Sequence, residues 1–174
     1  MIFFVIVFAV NLLVNLYIFS RTKAIIPDGS IAWWIASILF WLVAFAYAIG
    51  RFTERAGAMS LAEPLVKVGS WWLGAMVYLT LLFLLADILR GVNSLFNLTE
   101  FFRFSWTSEK GKIAVFIVYS ISAIILIGGY LSARMPTVKR VSFQINKTIS
   151  NDKQKVVLVS DIHLGMMISN GKLD

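Results

Sequence analysis

Cysteine is missing from this 174-residue chain. That excludes a disulfide framework, a thiolate metal site and a cysteine nucleophile. Histidine occurs once, so these residues alone cannot assemble a site that needs several imidazoles. Charge is scarce too: only 14% of residues are charged, nine acidic against sixteen basic. No internal repeat or low-complexity tract interrupts the chain. The N-terminal apolar run lacks a basic segment before it and a clear small-x-small cleavage site before Arg21 and Lys23. It therefore reads as a retained helix and not as a signal peptide.

What the chain has in excess is apolar surface. Hydrophobic residues make up 59% and the mean hydropathy is +0.83, whereas soluble domains are about 45–50% apolar. The excess points to a membrane protein. A net charge of +7 would suit nucleic acid in a soluble protein. Here the basic residues are scattered between apolar runs and form no patch, so no nucleic-acid partner is expected. They read as loop charges beside an anionic bilayer surface.

Four apolar runs stand out: Ile2 to Phe19, Ile31 to Ile49, Ser70 to Leu89 and Ile113 to Leu131. Each approaches the ~20 residues a helix needs to cross a ~30 Å hydrocarbon core, and none contains proline. This predicts an α-helical membrane domain of four transmembrane helices over residues 1–135. The segments 51–67 and 90–112 read as connections, the second of them aromatic, with Phe96, Phe101, Phe102, Phe104 and Trp106. Those residues favour the headgroup level, so this loop is expected to lie on the bilayer. Trp33-Trp34 and Trp71-Trp72 sit near the starts of their runs and read as interfacial anchors.

Four crossings place both termini on one side. Arg51, Arg55, Lys67, Arg134, Lys139 and Arg140 fall on that side, against Arg21, Lys23, Arg90, Arg103, Lys110 and Lys112 on the other. Lys147 and the terminal amine tip this even balance towards cytoplasmic termini. The expected location is the plasma membrane of a bacterium.

Polar residues inside the runs have structural explanations. Asn11 and Asn15 are four apart and share a helix face, which fits hydrogen bonding between helices, worth about 0.6–2 kcal/mol each. Asp87 would be costly at mid-bilayer, but Arg90 follows three residues later at the end of its run, which fits an interfacial ion pair. No run carries the repeated ionisable residues of a proton relay. Asn97-Leu98-Thr99 and Asn146-Lys147-Thr148 match the glycosylation pattern, which is too short to carry weight.

After Leu131 the composition changes. Val141, Phe143 and Ile145 alternate with Ser142 and Gln144, the pattern of a half-buried strand. A polar connection leads to Val156–Val159, which reads as a fully buried strand. Immediately beyond it stands "SDIHLG". In an extended chain Asp161 and His163 point to the same side. A carboxylate and an imidazole so placed can share one metal ion, and Zn, Fe and Mn all accept this mixed ligation.

"VLVSDIHLG" resembles the first motif of the calcineurin-like metallophosphoesterases: an apolar strand, a small residue, then Asp-x-His and a Gly turn. Asp161 and His163 match two metal-ligand positions and Gly165 the turn. "SARMPTVKRVSFQI" is similar to the family's step from a last helix into a first strand, and the layout resembles its membrane-anchored members. The resemblance covers Pro136 to Gly165. It implies that residues 136–174 begin an α/β phosphoesterase domain, with a two-metal site that hydrolyses a phosphoester or pyrophosphate by metal-activated water.

The family's Gly-Asp-x-x-Asp, Gly-Asn-His and Gly-His-x-His motifs are not in the chain. The expectation is therefore an N-terminal fragment, inactive by itself, of a membrane-anchored phosphoesterase. Its partners would be the lipid bilayer and a phosphorylated substrate, with a lipid or envelope component the attractive class. The alternative is a non-enzymatic multi-pass membrane protein, an assembly or transport subunit, with a chance Asp-x-His. An integral-membrane enzyme working through Asp87 and the Asn pair is a third reading.

Overall fold

A bilayer interior offers no water to backbone N–H and C=O groups, so a crossing segment must satisfy them internally. The structure, a computed structural model, describes residues 2–26, 28–97, 99–100 and 102–134. It contains four helices: α1 (Ile2–Thr22), α2 (Ile31–Arg55), α3 (Met59–Phe96) and α4 (Glu109–Ala133), with a 3-10 turn at Lys23–Ile25 after α1. All four are long and apolar enough to cross a membrane. No strand occurs among the described residues. The strands expected at 141–145 and 156–159, the domain boundary at 135/136, Asp161 and His163 all lie outside the described residues.

Local chemistry sets the helix ends. The Ser30 hydroxyl caps α2 by accepting from Trp33 N–H at 3.1 Å, and Ser108 caps α4 by accepting from Gly111 N–H at 3.2 Å. α3 ends where Asn97 turns left-handed at φ +51°, a conformation asparagine tolerates better than most residues. Asn97 N–H donates to the Asn93 carbonyl at 2.8 Å, and the buried Asn93 side chain accepts from Thr99 N–H at 2.8 Å. Asn97 and Thr99 of the first glycosylation-like tripeptide thus belong to a helix stop.

Side-chain contacts fix the order of packing. α1 and α3 run parallel, because Asn15 meets Trp72 and Met76 while Arg21, further along, meets Asp87. α2 runs antiparallel to α3, with Tyr47 on Gly69 and Gly50 on Val66. α4 is also antiparallel to α3: Tyr130 lies 5.0 Å from Trp71 and Tyr119 lies 6.2 Å from Phe83 between ring centroids. The bundle is up-down-up-down, and α3 touches each of the other helices.

The connection expected over 51–67 is largely helical. Only Ala56, Gly57 and Ala58 separate α2 from α3, and Gly57 takes φ +83° to make the turn. The charges there mark departure from the hydrocarbon but do not end the helices. Arg51 pairs with Glu54, and Lys67 with Glu63, each at 2.5 Å and at helical spacing. Pro64 lies near the start of α3, where it removes one backbone donor, the partner of the Ser60 carbonyl. The 38 residues of α3 measure roughly 57 Å, nearly twice a ~30 Å hydrocarbon core. Its charged ends therefore stand outside the core, and the uncharged stretch lies between Lys67 and Asp87.

The interior is narrow. Ile18, Leu79, Phe83, Trp106, Val115 and Val118 form the buried cluster. Most large apolar side chains face outward, Phe116 at 72% and Ile124 at 69% exposure among them. That surface would aggregate in water and suits lipid tails. Lipid supplies no hydrophobic drive between helices, so close approach of small residues takes over. Ala44, Ala46 and Gly50 of α2 are buried, as are Ala62, Val66 and Gly69 of α3. A Cβ on Gly69 would run into the backbone of Tyr47. Gly69→Leu is therefore expected to cost about 2 kcal/mol or more. Gly91→Ala, whose Cβ meets nothing within 4 Å, is expected to gain about 0.5–1 kcal/mol. Thermal unfolding of both variants in one detergent checks this, and a wild-type transition for Gly69→Leu would mean that α2 and α3 do not approach there.

Candidate functional site

A carboxylate on a membrane helix needs partners. Asp87 stands on α3 at the end of the uncharged stretch. Tyr17 and Arg21 are four apart on α1 and so share a face. Parallel packing brings that face to Asp87. The third contributor is the loop after α3. Gly111 lets this loop cross the first turn of α4 in backbone contact, since a Cβ there would strike the Ser105 and Trp106 carbonyls. Trp106 is buried as a result.

The geometry is a closed cluster. Asp87 Oδ2 accepts from Tyr17 Oη and from Arg21 Nη2, both at 2.7 Å. Oδ1 accepts from Trp106 Nε1 at 2.9 Å and from Arg90 Nη1 at 3.3 Å. Arg90 also donates from Nε and Nη2 to the Phe104 carbonyl, at 3.1 and 2.7 Å. The Trp106 ring receives both cations, with the guanidinium carbons of Arg21 and Arg90 at 5.4 and 5.2 Å from its centroid. A carboxylate offers about four acceptor positions, and four donors occupy them. The arrangement leaves Asp87 no position for a metal ion. It works as a clasp joining α1, α3 and the loop.

The expected Asp87–Arg90 pair is present, but the shorter bond goes to Arg21, which the sequence reading counts only as a loop charge. Tyr17 and Trp106 are equally unforeseen, because they lie 70 and 19 residues from Asp87. The aromatic loop does not simply rest on the bilayer. Phe104 and Trp106 fold inward, with ring centroids 5.5 Å apart, and Trp106 packs at 5.6 Å on Phe83.

A second polar seam lies deeper. Asn15 is buried, donates to Asn11 Oδ1 at 3.1 Å and Met76 Sδ at 3.4 Å, and accepts from Trp72 Nε1 at 2.9 Å. The Asn pair does bond between helices. Trp72 departs from the anchoring expectation: it lies well inside α3 and turns into the α1–α3 seam.

Among the described residues no three metal-ligating side chains come together, and the sequence-predicted ligands Asp161 and His163 are outside that set. No family model matches the chain, and no curated protein or solved structure matches it.

Asp87→Ala would leave two guanidiniums, a phenol and an indole N–H without their acceptor. Groups about a quarter exposed recover some of this from water, so the expected cost is on the order of 3 kcal/mol. Thermal unfolding in detergent measures it. A shift no larger than that of an exposed control such as Lys110→Ala would show the clasp to be energetically idle.

Proposed function

We propose that the helical bundle is a membrane anchor and scaffold, and that the chain's chemistry is that of a metal-dependent phosphoesterase acting through Asp161 and His163. The anchor reading is supported by the state of the polar groups inside the spans: Asn11, Asn15 and Asp87 are all engaged in contacts that join helices. The phosphoesterase reading rests on one observation, the Val156–Gly165 pattern of an apolar strand followed by Asp-x-His and glycine.

The donor set suits the metal class. A carboxylate oxygen from Asp161 and a neutral imidazole nitrogen from His163 are acceptable to Zn, Fe or Mn. Asp161 would hold the cation by charge. His163 would hold it through one ring nitrogen, with the other N–H directed to an acceptor that fixes the tautomer. When bound, the metal supplies Lewis acidity and lowers the pKa of bound water. Two ligands do not make a two-metal site, and His163 is the one histidine of the chain, so the reading requires further ligands. The substrate class that follows is a phosphomonoester, a phosphodiester or the pyrophosphate of a nucleotide-linked lipid, and membrane tethering favours a lipid. Four crossings would return residue 134 to the side of residue 2, and the Asp161–His163 segment would emerge on that face.

The non-enzymatic reading is favoured by a different observation. Asp87, the carboxylate that ends the uncharged stretch of α3, is spent on the clasp and serves to join α1, α3 and the loop. One experiment separates the two readings. In the complete protein, Asp161→Asn and His163→Ala should each lower bound metal and hydrolysis of a generic phosphodiester by roughly tenfold or more, while the helices insert normally. Wild-type metal content and rate in both variants would leave Asp-x-His as a turn after a strand.

A further inference from the structure

Beyond Asp87, α3 continues for more than two turns, and its composition changes. Arg90, Asn93, Ser94 and Asn97 follow at the i, i+3, i+4, i+7 spacing that gathers residues on one face. The following loop folds back over that face. Arg90 holds the Phe104 carbonyl, and Arg103 Nη2 donates to Asn97 Oδ1 at 2.8 Å. Between helix and loop lies an open cavity of about 410 Å³ lined by these polar residues with Arg103 and Phe104. No acidic side chain lines it. Its walls carry two guanidiniums, two carboxamides and the hydroxyls of Ser94 and Ser105.

The position of the cavity limits what can fill it. Asp87 and Arg90 end the uncharged stretch of α3, so the cavity stands at headgroup depth. Leu95 and Phe96, on the adjoining face of the same turns, are 78% and 68% exposed. Apolar side chains beside a cationic hollow match a boundary where lipid tails give way to phosphates. The chemistry points the same way. Phosphate oxygens only accept, arginine meets them in a planar fork, and hydroxyl and carboxamide N–H groups complete the set. The C-terminal dipole of α3 opposes an anion by about half a charge. Arg90 and Arg21 together exceed Asp87 by one positive charge, and the one acidic partner of Arg103 among the described residues is the exposed Glu100 at 2.7 Å, a pair of little strength.

We propose that this cavity binds the phosphate group of an anionic membrane lipid. It lies at the end of the bundle opposite residue 134 and is independent of the phosphoesterase reading. Basic hollows between membrane helices suit such headgroups, and Arg103 would exchange Glu100 for the lipid phosphate.

The test places the full chain in phosphatidylcholine nanodiscs doped with phosphatidylglycerol and counts retained lipids by native mass spectrometry. The wild type should retain one phosphatidylglycerol in preference to phosphatidylcholine. Arg103→Ala should reduce that retention roughly tenfold, the loss of one charge-assisted contact. Arg51→Ala, which removes the same charge from the other end of the bundle, should not. Glu100→Gln frees Arg103 without touching the cavity wall and should increase retention. This variant decides the matter if Arg103→Ala also lowers the thermal transition. Unchanged or weaker retention in Glu100→Gln, no preference for phosphatidylglycerol, or equal losses in Arg103→Ala and Arg51→Ala would each overturn the proposal. Inorganic phosphate that binds in pure phosphatidylcholine discs and displaces the lipid would assign the cavity to a soluble phosphate instead.

Discussion

A single carboxylate at the end of a membrane helix has to be neutralised, and much of this bundle is arranged around that need. Asp87 cannot face lipid uncompensated. Its oxygens draw Tyr17 and Arg21 from α1, Arg90 from its own helix and Trp106 from the loop before α4. Each recruit constrains something else. Arg21 fixes the rotation of α1 about its axis, and Arg90 pins the loop through the Phe104 carbonyl. Trp106 fills the end of the buried cluster against Phe83. Removal of the carboxylate would leave both cations beside the indole ring without their shared acceptor.

Hydrophobic burial cannot hold the rest together, because the surrounding lipid is as apolar as the side chains. Two other devices do so. Along the α2–α3 seam, Gly50 and Gly69 bring backbones into contact and gain dispersion over a broad area. Along the α1–α3 seam, Asn15 sits among Asn11, Trp72 and Met76 and fixes the register by hydrogen bonds. α3 contributes to both seams and is also the longest helix. Its extension beyond the hydrocarbon at both ends supplies the short hairpin at one face and the polar cavity at the other.

Much of this was legible in the residues. Runs of uncharged apolar residues gave the four helices, and the four-residue spacing of Asn11 and Asn15 gave a shared interhelical face. Charge was a poorer guide to helix ends. Arg51, Glu54, Glu63 and Lys67 leave the hydrocarbon, but their helical pairing lets α2 and α3 continue past it. Local spacing could find Arg90 as a partner for Asp87. It could not find Arg21 or Tyr17, whose approach depends on α1 and α3 lying parallel and adjacent. The inward turn of Phe104 and Trp106 depends on Gly111, which carries no signal of its own until the loop is seen crossing it. The Asp161–His163 motif is legible only as sequence, since it lies outside the described residues.

The clasp ties α1, α3 and the loop before α4 into one hydrogen-bonded network. Its central bond can be measured directly. A double-mutant cycle on Arg21→Ala and Asp87→Ala, by reversible unfolding in detergent, reports their coupling free of either residue's other contacts. A favourable coupling of about 1 kcal/mol or more is predicted, as for residues sharing one hydrogen-bonded network. Additivity within about 0.3 kcal/mol would contradict it and would mean that α1 is not held to α3 through Asp87.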